Sequence, residues 1–257
     1  MKNADTRFTE QWDAVDPFDE SYPHLWIKVE HLGRYVFACR YLGSRGVETV
    51  LDVGAGTGYG SDRLASLIPT VLSLDVHHPE SPGSESIVQI THELGTQPLK
   101  TALDRSYVDA IVCFETLEHL VDPGGALEEF SQIQNPGGIL ILSVPNSVAE
   151  RIGPDGLLTN PYHRRTFTIS SIRSMLNAAG YDVREVLGQQ LTTEINSNET
   201  RNIRRKQVDG RIGDEPSLHG RETLERLATV VGYPEPRDVE RSYSLIIVAE
   251  RTVNHSA

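Results

Sequence analysis

Long hydrophobic runs are absent from this sequence of 257 residues. No apolar segment approaches the ~18 residues that a membrane-spanning helix needs, so we expect no membrane span. The first part of the chain, residues 1–20, is polar and acidic and does not contain the apolar stretch of a secretory signal peptide. We therefore predict a protein that works in the cytoplasm.

Cysteine is almost absent as well. The two cysteines, Cys39 and Cys113, lie among apolar residues, and their separation does not fit a zinc-finger pattern. We interpret both as reduced thiols in the protein core, which agrees with a cytoplasmic setting.

Positive charge is in deficit, since 24 Lys and Arg residues against 36 Asp and Glu residues give a formal net charge of −12. Binding to nucleic acid depends mainly on neutralising phosphates, so this balance argues against a large nucleic-acid surface. We expect a small-molecule substrate instead. The apolar content of 38% suits one globular domain with insertions.

The sequence is organised around residues 49–60, TVLDVGAGTGYG. An apolar run that carries one acid, Asp52, stops at three glycines in alternate positions, Gly54, Gly56 and Gly58. An apolar run, a glycine turn and helical sequence predict a strand–loop–helix unit. The glycines let a ligand lie against bare backbone, at the positive end of a helix dipole. This pattern indicates a nucleotide-type cofactor.

Two cofactors compete for this loop. The dinucleotide fingerprint G-x-G-x-x-G, counted from Gly54, needs a third glycine where Tyr59 stands. The pattern present is acid-x-G-x-G-x-G, which resembles motif I of the class I S-adenosylmethionine (SAM) methyltransferases. Asp75 follows about 20 residues after the loop, where an acid can bind the ribose hydroxyls of either cofactor.

Further motifs extend the resemblance over residues 30–186 in family order. The segment HELGTQPL resembles a family pattern of an acid and Leu followed by Pro-Leu, with Glu93 where Asp is usual. An apolar strand before FETLEHL and a second one between NPGG and VPN complete the set. The resemblance implies an α/β fold. Its Rossmann-like doubly wound sheet of about seven strands would be mostly parallel, with an antiparallel last strand and helical lid insertions.

The resemblance also implies which residues bind SAM. Motif I would face the amino-acid half of SAM, with Asp52 holding its ammonium group. Glu93 would take the adenine amino group, and the backbone N–H of Leu94 would meet the ring. Arg34, in a helix predicted over residues 25–42, would pair with the SAM carboxylate, unless it belongs to a solvated helix face. The full set is Arg34, Asp52, Gly54, Ala55, Gly56, Asp75, Val76, Glu93, Leu94 and Phe114.

Candidate catalytic residues follow the fourth apolar strand. Glu115, Glu118 and His119 are spaced i, i+3, i+4, so a helix would place them on one face. His163, in NPYHRRTF, can reach the same three side chains from the other side of the cleft. Carboxylate and imidazole ligands suit Mg²⁺, Mn²⁺ or Zn²⁺. The set resembles the metal site of small-RNA 3′-terminal 2′-O-methyltransferases. It also resembles ubiquinone-biosynthesis O-methyltransferases, which use a divalent ion.

We therefore predict that Glu115, Glu118, His119 and His163 bind one divalent cation beside the transferable methyl group. The alternative is that Glu and His brace the following helix without a metal. In that case His119 or His163 is the general base, and Glu115 is the third candidate catalytic residue.

The predicted organisation has two parts. Residues 1–42 would form an N-terminal arm and a helix that covers the cofactor, and residues 43–257 would form the methyltransferase domain. About 55 residues separate the sixth strand from the last, which is long for a connection. We expect the segment at about 190–240 to be a lid or a homodimer contact.

The predicted function is transfer of a methyl group from SAM to a hydroxyl of a small polar metabolite, such as a sugar, nucleoside, quinol or natural-product scaffold. One alternative is RNA 2′-O-methylation. It is favoured by the basic residues Arg201, Arg204, Arg205 and Lys206, and the net negative charge of the chain argues against it. The others are N-methylation of a small molecule and non-catalytic SAM binding.

Overall fold

The computed structural model of this protein describes residues 15–19, 22, 24–80, 82–103, 107–189 and 216–252. One sheet holds seven strands: β1 (Thr49–Val53), β2 (Thr70–Asp75), β3 (Ile87–Thr91), β4 (Val108–Phe114), β5 (Gln134–Pro145), β6 (Tyr181–Gln189) and β7 (Ser244–Arg251). Their order is β3-β2-β1-β4-β5-β7-β6. Strands β1 to β5 pair in parallel, and β7 runs antiparallel to both of its neighbours. The predicted mostly parallel sheet with an antiparallel last strand is confirmed.

The described helices are α1 (Leu25–Gly43), α2 (Tyr59–Ala65), α3 (Leu99–Ala102), α4 (Pro123–Ile133), α5 (Ile169–Ala178) and α6 (Arg221–Val230). Helix α5 begins after Thr168, whose hydroxyl accepts the N–H of Ser171 while the Ser171 hydroxyl accepts the N–H of Thr168. This reciprocal pair is a capping box, which satisfies two backbone donors at the helix start. None of the helices in the described ranges is both long and apolar enough to span a bilayer.

The sheet separates two apolar layers, and β4 shows how. Ile111 and Cys113 point into the layer that α3, α4 and α5 cover, whereas Ala110, Val112 and Phe114 point into the layer under α1 and α2. A central strand buried on both faces reads as an almost continuous apolar run. Both cysteines of the chain are buried free thiols, as predicted.

The described part of the long connection between β6 and β7 packs against α1. Leu224 and Ala228 of α6 share a buried cluster with apolar residues of α1. A side chain at Gly33 would overlap the carbonyl group of Gly232, so the two backbones meet at glycine. Gln189 donates to the carbonyl of Gly232 at 2.6 Å. This part therefore belongs to the packed body of the protein.

Residues 190–215, with the basic positions Arg201, Arg204, Arg205 and Lys206, lie outside the described residues. The lid or homodimer role of the segment at about 190–240 stays a prediction.

Candidate active site

The glycine loop joins β1 to α2 in a strained form that only glycine adopts easily. Gly54, Gly56 and Gly58 have φ angles of +71°, +56° and +87°, in the left-handed region where a side chain is disfavoured. The N–H groups of Gly54 and Ala55 both donate to the Leu74 carbonyl, at 2.9 and 3.2 Å. The loop is therefore held against the end of β2 with bare backbone at its turns.

Asp75 fixes the other side of this loop. Its carboxylate accepts the N–H of Gly56 at 2.8 Å and the N–H of His77 at 3.1 Å. The side chain is half-buried, so its remaining lone pairs stay accessible to hydroxyl groups. Val76 and Leu94 are half-buried and Glu93 is exposed, after the ends of β2 and β3.

Asp52 lies behind the loop rather than at its surface. It is fully buried, and its two oxygens accept hydrogen bonds from Tyr35 at 3.0 Å and Ser61 at 2.7 Å. Burial raises the pKa of Asp52 to about 6, against the opposing effect of these two hydrogen bonds. The carboxylate is thus engaged by α1 and α2, and the role of Asp52 toward the cofactor's ammonium group stays a prediction. Phe114 is buried nearby and packs edge-on against Tyr35.

Arg34 is enclosed at the carboxyl edge of the sheet and has one donor without a partner. Its side chain is 1% exposed. Nε donates to Gln189 at 2.7 Å and Nη2 donates to Ser244 at 3.1 Å. Nη1 is buried with no hydrogen-bond partner. Arg34 therefore does not lie on a solvated helix face, and a buried guanidinium with an unsatisfied donor fits an anionic partner.

Glu115 departs from the expected helix. Its φ of +45° places it in the left-handed region, and the helix that follows is a short 3₁₀ turn over Leu117–His119. The Glu115 carboxylate accepts from the Ser143 hydroxyl at 2.7 Å and lies 3.6 Å from Arg34 Nη2. The prediction that Glu115 shares one helical face with Glu118 and His119 is wrong, because the chain turns sharply after β4.

Glu118, His119 and His163 do come together. Each offers one ligand atom, and these three atoms all lie within 4.8 Å of one another. Nε2 of His119 is 3.9 Å and Nε2 of His163 is 4.0 Å from Oε1 of Glu118. The Glu118 side chain is 0% exposed, and neither of its oxygens has a hydrogen-bond partner. The geometry thus unites three of the four predicted metal ligands.

Two side chains of this cluster have shifted pKa values. Burial, and then the nearby charge of Glu115, raises the pKa of Glu118 well above its usual value. Burial lowers the pKa of His119. Both shifts favour neutral side chains, and a bound cation would reverse the first by favouring the carboxylate.

Several residues that hold the cluster were missed by the sequence analysis. His119 Nδ1–H donates to the carbonyl of Tyr162 at 3.0 Å, and His163 Nδ1 lies 3.1 Å from Glu150 Oε1. Asn160 Nδ2 lies 2.9 Å from His163 Nε2. These contacts come from the loop after β5, which has no periodic pattern, so spacing gave no signal for them.

The sheet order, the glycine loop and the acid at the end of β2 define a Rossmann-like fold of the class I methyltransferases. A family model described as a methyltransferase domain matches residues 33–186. The chain therefore belongs to the class I SAM-dependent methyltransferases, and SAM is its methyl donor.

Proteins with similar sequences are named as methyltransferases too. The chain is 30% identical over 217 residues to a probable S-adenosylmethionine-dependent methyltransferase of Mycolicibacterium smegmatis. The aligned region covers 79% of this chain and 81% of that protein. It is 34% identical over 102 residues to a ubiquinone biosynthesis O-methyltransferase of Xanthomonas oryzae pv. oryzae. That aligned region covers 38% of this chain and 43% of that protein.

Solved structures share the fold at low sequence identity. A chain of the complex between the Haloferax volcanii Trm112 methyltransferase activator and a methyltransferase has a TM-score of 0.54 at 20% identity, covering 87% of this chain and 92% of that one. The 1,6-didemethyltoxoflavin-N1-methyltransferase of Burkholderia thailandensis, with bound S-adenosylhomocysteine, has a TM-score of 0.52 at 16% identity. That match covers 91% of this chain and 80% of the other.

Proposed function

We propose that this methyltransferase acts on a hydroxyl oxygen of a small polar acceptor, with a divalent cation held by Glu118, His119 and His163. The Glu118 carboxylate carries the proposal. It is fully buried, neither oxygen has a hydrogen-bond partner, and two imidazole nitrogens face it. Burying an unpaired carboxylate is costly, and a cation at this point would offset that cost.

The donor set suits a catalytic rather than a structural ion. One carboxylate oxygen and two imidazole nitrogens leave coordination positions for the acceptor. A bound divalent cation supplies orientation and a lower pKa for an acceptor hydroxyl. An acceptor with two adjacent oxygens, such as a vicinal diol or catechol, would use these positions best.

The cofactor would lie beside this cluster. Gly54, Ala55 and Gly56 would present backbone to the methionine half of SAM, and Asp75 would accept from its ribose. Val76, Glu93 and Leu94 would lie along the adenine. Arg34 would pair through Nη1 with the SAM carboxylate, since this donor is buried and has no partner. Because β1 and β4 are neighbours, the loops that follow them can align donor and acceptor for in-line transfer.

A second candidate mechanism uses no metal. His163 has its Nδ1 beside the Glu150 carboxylate and its Nε2 on the side of Glu118, which is the arrangement of an oriented general base. Glu115 touches Arg34 and Ser143 in either mechanism and lies outside the group of three that could hold an ion.

The metal is tested first without an acceptor. Mn²⁺ is titrated into the full-length protein saturated with S-adenosylhomocysteine, and bound Mn²⁺ is counted by electron paramagnetic resonance. We expect one site in the wild type, none in His163→Ala, and one in the control His24→Ala, whose side chain is exposed.

The acceptor is tested next, with radiolabelled SAM and a panel of diols, catechols, sugars and nucleosides. EDTA should stop turnover, and Mg²⁺ or Mn²⁺ should restore it. Full turnover in EDTA, with no metal in the purified protein, would contradict the ion and favour His163 or His119 as general base.

A further inference from the structure

Glu150 is not part of the group of ligand atoms, yet it contacts one of its members directly. Its Oε1 lies 3.1 Å from Nδ1 of His163, and the two side chains are 8% and 11% exposed. The contact is on the far side of the imidazole from Glu118, which lies 4.0 Å from Nε2. Glu150 therefore contacts the cluster through His163.

The direction of this hydrogen bond follows from the neighbouring amide. Asn160 Oδ1 accepts the N–H of Tyr162 at 3.0 Å, so the amide nitrogen of Asn160 is the end that faces His163. That nitrogen lies 2.9 Å from His163 Nε2 and can only donate. Nε2 must therefore carry the lone pair, and the proton lies on Nδ1, where it is donated to Glu150.

The second histidine has the same orientation with a different acceptor. His119 donates from Nδ1 to the carbonyl of Tyr162 at 3.0 Å, and its Nε2 lies on the side of Glu118. A backbone carbonyl is fixed by the chain, whereas Glu150 supplies a side-chain carboxylate. Of the two imidazoles, His163 is thus the one whose orientation depends on a replaceable side chain.

We propose that Glu150 is a positioning residue, which holds His163 in the Nδ1–H tautomer with the Nε2 lone pair toward Glu118. The use of this lone pair by a cation rests on the proposed function, but the tautomer itself does not. An acceptor on Nδ1 fixes both the tautomer and the ring orientation of a metal-binding histidine. A bound cation would take the Nε2 lone pair that faces the Asn160 amide.

The tautomer can be measured directly on the metal-free, full-length protein. Ring-nitrogen chemical shifts from long-range ¹H–¹⁵N spectra distinguish Nδ1–H from Nε2–H imidazole, and a His163→Gln spectrum assigns the signals. Because the Asn160 amide also keeps the lone pair on Nε2, the Glu150 variants are made and compared in an Asn160→Ala parent. Glu150→Leu keeps the side-chain bulk without an acceptor, and Glu150→Gln keeps a neutral acceptor. The control is Glu250→Gln on β7, whose carboxylate pairs with Arg184 at the surface.

We expect the Nδ1–H form in the wild type, the Asn160→Ala parent and the control. On that parent, Glu150→Leu should shift the ring toward the Nε2–H form, and Glu150→Gln should keep the Nδ1–H form. An unchanged tautomer in Glu150→Leu, or the Nε2–H form in the wild type, would overturn the proposal. A role in packing alone would leave the tautomer unchanged, because leucine fills the same space.

Mn²⁺ binding to the same variants separates this proposal from the proposed function. Loss of an outer contact to a ligating histidine typically weakens metal binding by about 10–100-fold, and we expect that loss for Glu150→Leu. If the tautomer responds as expected but the wild type binds no Mn²⁺, Glu150 keeps its role and the metal site is wrong. If Mn²⁺ binds normally to Glu150→Leu and the tautomer does not move, the role of Glu150 is wrong and the metal site remains.

Discussion

The phenolic hydroxyl of Tyr35 donates a hydrogen bond to Asp52 across 3.0 Å, and this contact ties α1 to the strand before the glycine loop. The Tyr35 ring occupies the space that a side chain at Gly60 would need, and it packs edge-on against Phe114 with ring centroids 5.0 Å apart. Ser61 binds the second oxygen of Asp52. One buried carboxylate thus joins α1, β1 and α2 beneath the cofactor loop.

Replacing Tyr35 with phenylalanine tests this junction. Tyr35→Phe keeps the ring and removes the donor, so the buried Asp52 carboxylate loses one of its two side-chain hydrogen bonds. We expect the free energy of unfolding to fall by about 1–3 kcal/mol, the usual cost of leaving a buried polar group unsatisfied. Urea unfolding measures it, with Tyr107→Phe as the control because that side chain is half-exposed. Equal stability of the two variants would contradict the role of the hydroxyl.

The pH dependence of stability gives a second test, on Asp52 itself. Its pKa is raised from 3.8 to about 6 by burial. The folded protein therefore binds this proton more tightly than the unfolded chain, so the contribution is largest below pH 4 and is lost as the pH rises through about 6. The shift corresponds to a change on the order of 3 kcal/mol between these limits.

Asp52→Asn removes this titration. We expect its free energy of unfolding, relative to the wild type, to rise between pH 4 and pH 7, as measured by urea unfolding at each pH. Asp182→Asn is the control, since its carboxylate is exposed beside Arg184. Curves for Asp52→Asn and the wild type that stay parallel would show that Asp52 does not titrate in this range.

The fold could be predicted from the sequence because its signals are local. The apolar run of β4, the glycines after β1 and the Thr168 cap each specify a structure within a few residues. Taken together in chain order, these elements predict one sheet topology, in which right-handed crossovers join the parallel strands. The three residues that bring the loop after β5 to the cluster, Glu150, Asn160 and Tyr162, have no such local pattern.

Two residues at the site lie in surroundings that their sequence positions did not indicate. Asp52 occupies the family position for an acid, but Tyr35, 17 residues earlier, encloses it. Glu115 has the spacing of a helical ligand, but the chain leaves β4 in a left-handed turn. Spacing alone does not report burial or a positive φ, so the burial of Asp52 and the turn at Glu115 became visible only in the structure.

Gly56 provides a test of the cofactor loop with a closely matched control. Gly56 has a φ of +56° and Gly46 a φ of +66°, so alanine costs about 1 kcal/mol of backbone strain at either position. Nothing lies within 4 Å of a Cβ at Gly46, which is remote from the loop. We expect both variants to lose similar stability and only Gly56→Ala to lose SAM affinity, by at least tenfold in calorimetry. Equal SAM affinity in the two variants would remove Gly56 from the cofactor site.

Glu118 allows the sharpest test, because stability and metal binding should change in opposite directions. In the metal-free protein its carboxylate is buried, has no hydrogen-bond partner, and has a raised pKa because burial opposes ionisation. Glu118→Gln removes the charge and keeps the shape. At pH 8 we expect the metal-free variant to melt at a higher temperature than the wild type, since an unpaired buried charge destabilises a fold.

Addition of Mn²⁺ should reverse this order. A ligand that binds only the folded state stabilises it by about 2.7 kcal/mol at a concentration of 100 Kd, so the melting temperature of the wild type should rise and that of Glu118→Gln should not. Glu222→Gln is the control, because that carboxylate is exposed on α6 beside Arg226. If metal-free Glu118→Gln melts below the wild type, the carboxylate already has a stabilising partner, and the argument for a cation at this point fails. If both proteins respond equally to Mn²⁺, the ion binds elsewhere, and His163 would then act as the base that Glu150 orients.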